Sequence, residues 1–377
     1  MHLYLVAGEL SGDAHGASLM QALRQRVPGV QFSGAGGPAM QALASGPFLE
    51  WTSHAVVGLW EVLKNYAYFR REFHRMLAEI KHLQPAAVVL IDYPGFNLRL
   101  AKALRARLPT LKILYYISPQ VWAWNQGRIP KMAQWLDLMI CLFPFEKELY
   151  EKSGLSTVFA GHPMLDELEK KRLPQPLPLP QSHPQRDLFS LGLFPGSRER
   201  EVRKILPIML ETALLLRETH PDLRFVIPAP SPRIEQLIRE ITAPLPECEV
   251  QLGTAHTLMQ TCGTGMIASG TATLEAAFFG LPYVLLYKVS PLTYEVGRRV
   301  IRVPYLGMVN ILARREVVPE FVQGNARPPG IAAALDPLLT DPARRAAFQA
   351  DLAQVIALLG ERGAANKAAD AICEVLA

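Results

Sequence analysis

Three segments place groups able to move a proton or hold a phosphate directly behind apolar runs. In Ile91-Asp92-Tyr93-Pro94-Gly95-Phe96-Asn97, Asp92 follows the strongly apolar stretch Ala87 to Ile91. A partly desolvated carboxylate there would have a raised pKa and could act as general base towards a hydroxyl. It could equally cap the following helix or the Asp-Tyr-Pro turn, and position alone gives capping a slight edge. In Phe194-Pro195-Gly196-Ser197-Arg198-Glu199-Arg200-Glu201, the fixed donor fork of Arg198 suits bidentate contact with a diphosphate, and Ser197 with the turn amides at Gly196 can add further bonds. The plainer alternative is that Arg198, Arg200 and Arg203 pair with Glu199 and Glu201 on a solvated helix. In Ala268-Ser269-Gly270-Thr271-Ala272-Thr273-Leu274-Glu275-Ala276, a helix N-terminus can face phosphate oxygens while Glu275, one turn along, accepts from a ribose diol. A capping Ser269 or Thr271 with Glu275 offsetting the dipole accounts for the residues almost as well.

Two further segments carry weaker signals. Gly8-Glu9-Leu10-Ser11-Gly12-Asp13 opens a helix after the first apolar run, where backbone amides can hold an anion, but Ser11 or Asp13 could be a simple N-cap. Trp60, Lys64, Tyr68, Arg71 and Arg75 share one helical face, an aromatic and basic mix suited to an acidic membrane surface. An ordinary amphipathic helix with a solvated basic side is the competing reading.

The elements that must position these residues form a simple pattern. Short apolar runs at Leu3 to Ala7, Val30 to Ser33, Ala87 to Ile91, Ile113 to Ile117, Leu138 to Leu142 and Thr157 to Ala160 alternate with helix-length segments such as Ala14 to Arg26, Val62 to His82 and Leu98 to Leu108. That alternation predicts a parallel sheet covered on both faces. The pattern restarts with Leu188 to Phe194, Leu223 to Ile227, Val250 to Leu252, Gly265 to Ala268 and Tyr283 to Tyr287; beyond Pro304 strands are expected to cease and Ala/Leu-rich helices to follow. The expected fold class is α/β: two Rossmann-like, doubly wound parallel-sheet domains with a C-terminal helical extension. We expect an N-terminal domain over 1–172, a Pro-rich linker over 173–187, a second domain over 188–340, and helices over 341–377 packing on the first domain or exchanged in a dimer. Two such sheets facing one another would put their carboxyl ends around one cleft, where ligands of such sheets bind.

Composition narrows the classes. At 377 residues the chain suits two domains, and its half-hydrophobic composition is that of a globular protein. The net charge of +5 fits anionic partners without choosing among phosphates, nucleotides, lipids or nucleic acid. Cys141, Cys248, Cys262 and Cys373 lie far apart, suggesting neither a disulfide framework nor a zinc site and fitting a reducing cytoplasm. No run approaches the roughly 20 apolar residues of a membrane span, so membrane contact is expected to be peripheral. Neither Asp-x-Asp nor GxxxxGK[ST] occurs, so no metal-held sugar diphosphate, P-loop or cofactor is expected. No motif of interleaved aromatics supports a nucleic-acid partner or a binding scaffold.

Together these segments resemble the lipid-A-disaccharide synthase family over nearly the whole chain. The resemblance rests on Val6-Ala-Gly-Glu-Leu-Ser-Gly-Asp13, Ile91-Asp-Tyr-Pro-Gly-Phe-Asn97, Ser118-Pro-Gln-Val-Trp-Ala-Trp124, Phe143-Pro-Phe-Glu146, Gly161-His-Pro163, Pro195-Gly-Ser-Arg198 and Ser269-Gly-Thr-Ala-Thr-Leu-Glu275. It implies a GT-B fold, with C-terminal exchange in a homodimer, at the cytoplasmic face of the inner membrane. It also implies inverting transfer of 2,3-diacylglucosamine from its UDP derivative to the 6-hydroxyl of 2,3-diacylglucosamine 1-phosphate, giving a β-1,6 disaccharide and UDP. In family terms Asp92 is the essential carboxylate, Arg198 the diphosphate contact, Glu275 the ribose contact and Asn310 a further UDP-side residue, while Glu9, Ser11 and Asn97 belong to the acceptor-side loops. A UDP-N-acetylglucosamine 2-epimerase shares the two-domain plan and the nucleotide end, and is the rival reading.

Overall fold

Buried strand followed by covering helix is the repeating unit of the chain in the computed structural model, which describes residues 1–52, 66–174, 186–245, 247–301 and 303–377. The chain folds as two units, Met1–Asp166 with Leu359–Ala377, and Glu167–Leu358.

The first unit holds seven parallel strands: β1 (His2–Ala7), β2 (Gln31–Gly36), β3 (Phe48–Glu50), β4 (Ala87–Ile91), β5 (Lys112–Tyr116), β6 (Leu138–Cys141) and β7 (Thr157–Phe159), in the order β3-β2-β1-β4-β5-β6-β7. Every residue of β4 is fully buried. A strand covered on both faces needs an unbroken apolar run, which Ala-Val-Val-Leu-Ile supplies, each large side chain contributing about 1.5–3 kcal/mol. The strand order reverses between β1 and β4. Their register sets Ala7 opposite Ile91, so the segments starting at Gly8 and Asp92 leave the sheet side by side. Ligands of open parallel sheets bind at such a reversal.

The second unit repeats the plan with β8 (Asp187–Phe194), β9 (Arg224–Ala229), β10 (Glu249–Leu252), β11 (Cys262–Ala268), β12 (Tyr283–Tyr287) and β13 (Glu320–Val322), ordered β10-β9-β8-β11-β12-β13. Here the reversal lies between β8 and β11, with Phe194 opposite Ile267. Strands do not cease beyond Pro304: β13 pairs with β12. Like β3 it is a three-residue edge strand, too short for alternation to reveal, and only its neighbour's ladder defines it.

Two helices begin a turn earlier than expected, at Leu10–Arg26 and Pro94–Arg107. Gly12, Pro94 and Gly95 read as turn residues, yet proline at a first helical position loses no hydrogen bond. Asp13 does not cap its own helix. Its buried carboxylate accepts from the amides of Gly37, Ala39 and Met40 at 2.8–2.9 Å, tying the β2 exit to the β1 exit.

The C-terminal stretch, expected to act together, divides. The Pro342–Ala357 helix lies in the second unit, with Asp341 as its N-cap and Arg345 donating to the carbonyls of Leu338 and Leu339 that end the preceding Pro328–Thr340 helix. The Ala364–Leu376 helix packs on Leu10–Arg26 in the first unit, where Arg26 pairs with Asp370. Asp166 caps its start through the Gly363 amide at 3.0 Å.

Candidate functional site

At the strand-order reversal of the first unit, Asp92 and Tyr93 both adopt left-handed backbone, with φ of 46° and 49°. Such a conformation costs most residues about 1–2 kcal/mol, and surrounding bonds must hold it. They do so through the Asp92 carbonyl, which accepts from the Tyr115 hydroxyl at 2.6 Å and from Asn97 Nδ2 at 2.8 Å. Asn97 also donates to Ile91 O at 3.1 Å and is wholly buried. It orients the turn from beneath through Nδ2, while its Oδ1 is buried without a hydrogen-bond partner. The Asp92 carboxyl itself is half-buried. Burial pushes its pKa up, a bond from the Tyr93 amide opposes this, and the charge of Glu9 adds to it.

Glu9 is therefore the carboxylate whose charge acts on Asp92. It occupies the N-cap of Leu10–Arg26 without a side-chain capping bond, and Ser11 is exposed on the first turn. Gly8 must lack a side chain, because a Cβ there would stand 2.2 Å from the Tyr93 ring. Behind this ring Trp51, fully buried, donates its indole N–H to Ala7 O at 2.6 Å. Neither Trp51 nor Tyr93 stood out in the sequence, for their role is visible only once β1 and β4 are paired. Phe143-Pro-Phe-Glu146 proves to be structural: buried Glu146 accepts from Trp122 Nε1 at 2.9 Å and from the Phe143 amide at 3.1 Å, fixing the loop after β5 to the loop after β6.

In the second unit, the reversal between β8 and β11 opens a cavity of about 470 Å³. It is lined by the loop after β8 (Pro195, Gly196, Ser197, Arg198), by the loop after β11 (Ser269, Gly270, Thr271) and by Glu275. The proposed donor-side residues thus converge, with one exception. Asn310 is fully buried away from this cavity; its Oδ1 accepts from the amides of Val317 and Val318 and its Nδ2 donates to Val318 O and Glu320. All its bonding capacity is spent on the chain, and it does not line the cavity with the other expected donor-side residues.

Arg198 fits the ion-pair reading in part. It ends the β8 loop as the N-cap of Glu199–Thr219, and pairs with Glu201 at 3.0 Å. Its side chain is 74% exposed. A pair so open to water contributes about 0–1 kcal/mol, too little to withhold the guanidinium from a diphosphate offering bidentate bonds. Glu199 turns instead to Arg233. Gly196, at φ 104°, holds a left-handed backbone that would strain any other residue. The Thr271–Phe278 helix has Gly270 at its N-cap and no side-chain cap, so neither Ser269 nor Thr271 takes the capping role and the leading amides face the cavity mouth. Glu275 is held by His256 Nε2 at 3.2 Å. His256 belongs to no motif and gave no sequence signal.

Of the expected membrane face, Trp60 and Lys64 lie outside the described residues. On Tyr66–Leu83, Arg71 and Arg75 are exposed, both pair with Glu72 (2.9 and 3.6 Å), and Arg71 also lies over the Tyr68 ring at 5.3 Å. Among the described residues no helix is long and apolar enough to cross a membrane.

Comparison with known proteins supplies the remaining evidence. Among solved structures, the UDP-GlcNAc 2-epimerase of Neisseria meningitidis bound to UDP-GlcNAc aligns with a TM-score of 0.60 at 14% identity, covering 100% of this chain and 99% of that one. MurG of Acinetobacter baumannii gives 0.59 at 14%, covering 99% of each. At such identity they share the fold alone, the GT-B plan of two parallel-sheet units. The lipid-A-disaccharide synthase of Geobacter metallireducens is 39% identical over 374 residues, 99% of this chain and 96% of the relative, and that of Geobacter sulfurreducens 40% over 376 residues, 99% and 97%. The family model described as lipid-A-disaccharide synthetase matches residues 3–375. Matched by this model over nearly its whole length and by relatives at 39–40% identity, the chain belongs to the lipid-A-disaccharide synthetase family.

Proposed function

We propose that this glycosyltransferase moves 2,3-diacylglucosamine from UDP-2,3-diacylglucosamine to the 6-hydroxyl of 2,3-diacylglucosamine 1-phosphate, with inversion, releasing UDP. The observation that carries the reading is the cavity at the β8/β11 reversal, where Arg198, the opening amides of the Thr271–Phe278 helix and Glu275 line one hollow. Arg198 and those amides would meet the charge that develops on the departing diphosphate, and Glu275, steadied by His256, would accept from the ribose diol. Gly196, Ser197, Ser269, Gly270 and Thr271 shape the contact.

On the first unit, Asp92 would take the proton of the acceptor hydroxyl as the glycosidic bond forms. A single displacement needs one base and yields the inverted, β-configured product. Burial makes Asp92 a stronger base than an exposed aspartate, and Glu9 reinforces this. Glu9 and Ser11 would flank the incoming sugar. The face of half-buried Tyr68 and exposed Arg71 and Arg75, with Trp60 and Lys64 of the same sequence pattern, would hold the enzyme against the acidic cytoplasmic face of the inner membrane. The Ala364–Leu376 helix could make its contact with Leu10–Arg26 of a second copy, giving a domain-exchanged dimer measurable by light scattering.

Full-length protein supplied with UDP-2,3-diacylglucosamine, with and without lipid acceptor, tests the reading. Disaccharide 1-phosphate and equimolar UDP, formed only with acceptor, are expected. A UDP-bound or free epimer formed without acceptor would sink it in favour of the epimerase, which no observation of the chain itself favours.

A further inference from the structure

A second hollow, of about 490 Å³, lies in the first unit between Tyr66–Leu83 and Pro94–Arg107. Phe69, Phe73, Tyr93 and Phe96 line it, and Arg70, His74 and Arg99 stand exposed around it. Its aromatic wall is preformed: Trp51 supports it from behind, with ring centroids 5.8 Å from Phe69, 6.1 Å from Tyr93 and 4.8 Å from Phe96, and Phe73 lies 5.6 Å from Phe96. The rim differs from the neighbouring basic face. Arg71 and Arg75 are paired with Glu72, whereas Arg70 and Arg99 have no carboxylate within ion-pair distance among the described residues.

We propose that this hollow seats the acceptor lipid, with one acyl chain against the aromatic wall and the phosphate on Arg70 and Arg99. The inference rests on the transferase reading and deepens it. Neither half of the site explains the other: an acyl chain alone has no use for two open guanidiniums, and a free phosphate has none for four aromatic rings. A phosphorylated amphiphile satisfies both. The donor's phosphates are accounted for by the cavity at Arg198, which leaves the monophosphate of the acceptor for this rim. Position agrees, because Tyr93, which forms part of the wall, directly follows Asp92 and presses on Gly8, so that a lipid held here lies beside the turn carrying the proposed base. Burial of chain in such a wall would make each methylene worth about fourfold in affinity.

The experiment uses the full chain and two readouts. Direct titration with 2,3-diacylglucosamine 1-phosphate, and with its dephosphorylated form, in the absence of donor gives affinities for wild type and R70E/R99E. At least a tenfold loss is expected for the phosphorylated lipid, little change for the other, and in turnover an acceptor KM raised to match while the KM for UDP-2,3-diacylglucosamine stays within twofold. Phe73→Trp, which fills the hollow without adding charge, should shift preference to shorter acyl chains on the acceptor only. Unchanged acceptor affinity in R70E/R99E, or a rise confined to the donor KM, would overturn the assignment. Acceptor binding at this rim without any disaccharide formed would instead sink the transferase reading and leave the lipid site standing.

Discussion

Replacing Asp92 by asparagine should abolish most turnover while making the protein more stable at neutral pH. The backbone at residue 92 is left-handed, and asparagine with aspartate is among the few side chains that tolerate it. The bonds from Tyr115 and Asn97 go to the main-chain carbonyl and survive the change. What is lost is the proton acceptor. Loss of a general base costs about 10²–10⁴-fold in rate, or roughly 2.7–5.4 kcal/mol of barrier, with no reason for donor KM to move. Stability goes the other way. Burial raises the folded pKa of Asp92, so the fold prefers the protonated carboxyl. That preference is fully expressed below the unfolded value and is lost as pH rises through the raised folded value, above which the fold must bury a charge. A neutral asparagine escapes that cost, so its Tm should exceed that of wild type at neutral pH and the gap should close towards about pH 4. Asp92→Ala loses the same activity and adds about 1 kcal/mol of backbone strain, so it should melt below Asp92→Asn. The assays are kcat with saturating substrates and thermal melts across pH. A folded Asp92→Asn protein that keeps more than about a tenth of the wild-type rate, or that melts lower at neutral pH, would refute the reasoning.

Glu201→Gln removes the carboxylate that competes for Arg198, and UDP should bind about two- to fivefold tighter by calorimetry, while Arg198→Ala should bind it weaker than wild type. Asn310→Ala leaves the Val317 and Val318 amides unpaired, and should cost about 2–4 kcal/mol in denaturant unfolding with UDP affinity unchanged; a selective loss of UDP binding would return Asn310 to the nucleotide. Arg71→Glu should weaken cosedimentation with acidic vesicles at least about fivefold and spare UDP binding, each charge near such a surface being worth about 1 kcal/mol.

Strand-and-turn architecture was legible because β4 and its like are buried on both faces and must be apolar without interruption. The site loops were legible for the same reason, since chemistry sits where such runs end: Asp92 one residue past β4, Arg198 and Ser269 just past β8 and β11. Side-chain partnerships were not. The chain order gave no sign of the groups that Asn97 and Asn310 bond, which only the fold brings near. Asp13 caps a helix more than twenty positions away, and His256 reaches Glu275 from a helix without a motif. The C-terminal helices divide between the units because Arg345 and Asp341 serve the end of Pro328–Thr340, whereas Asp166 and Arg26 serve Ala364–Leu376. No periodicity encodes that choice.

The most direct test of the account is the structure of the chain with UDP bound. It should place the diphosphate against the Arg198 guanidinium and the amides at the start of Thr271–Phe278, with the ribose hydroxyls on Glu275 and the Arg198–Glu201 pair broken. Density for UDP elsewhere in the second unit, with that pair intact and the hollow after β8 and β11 untouched, would contradict it.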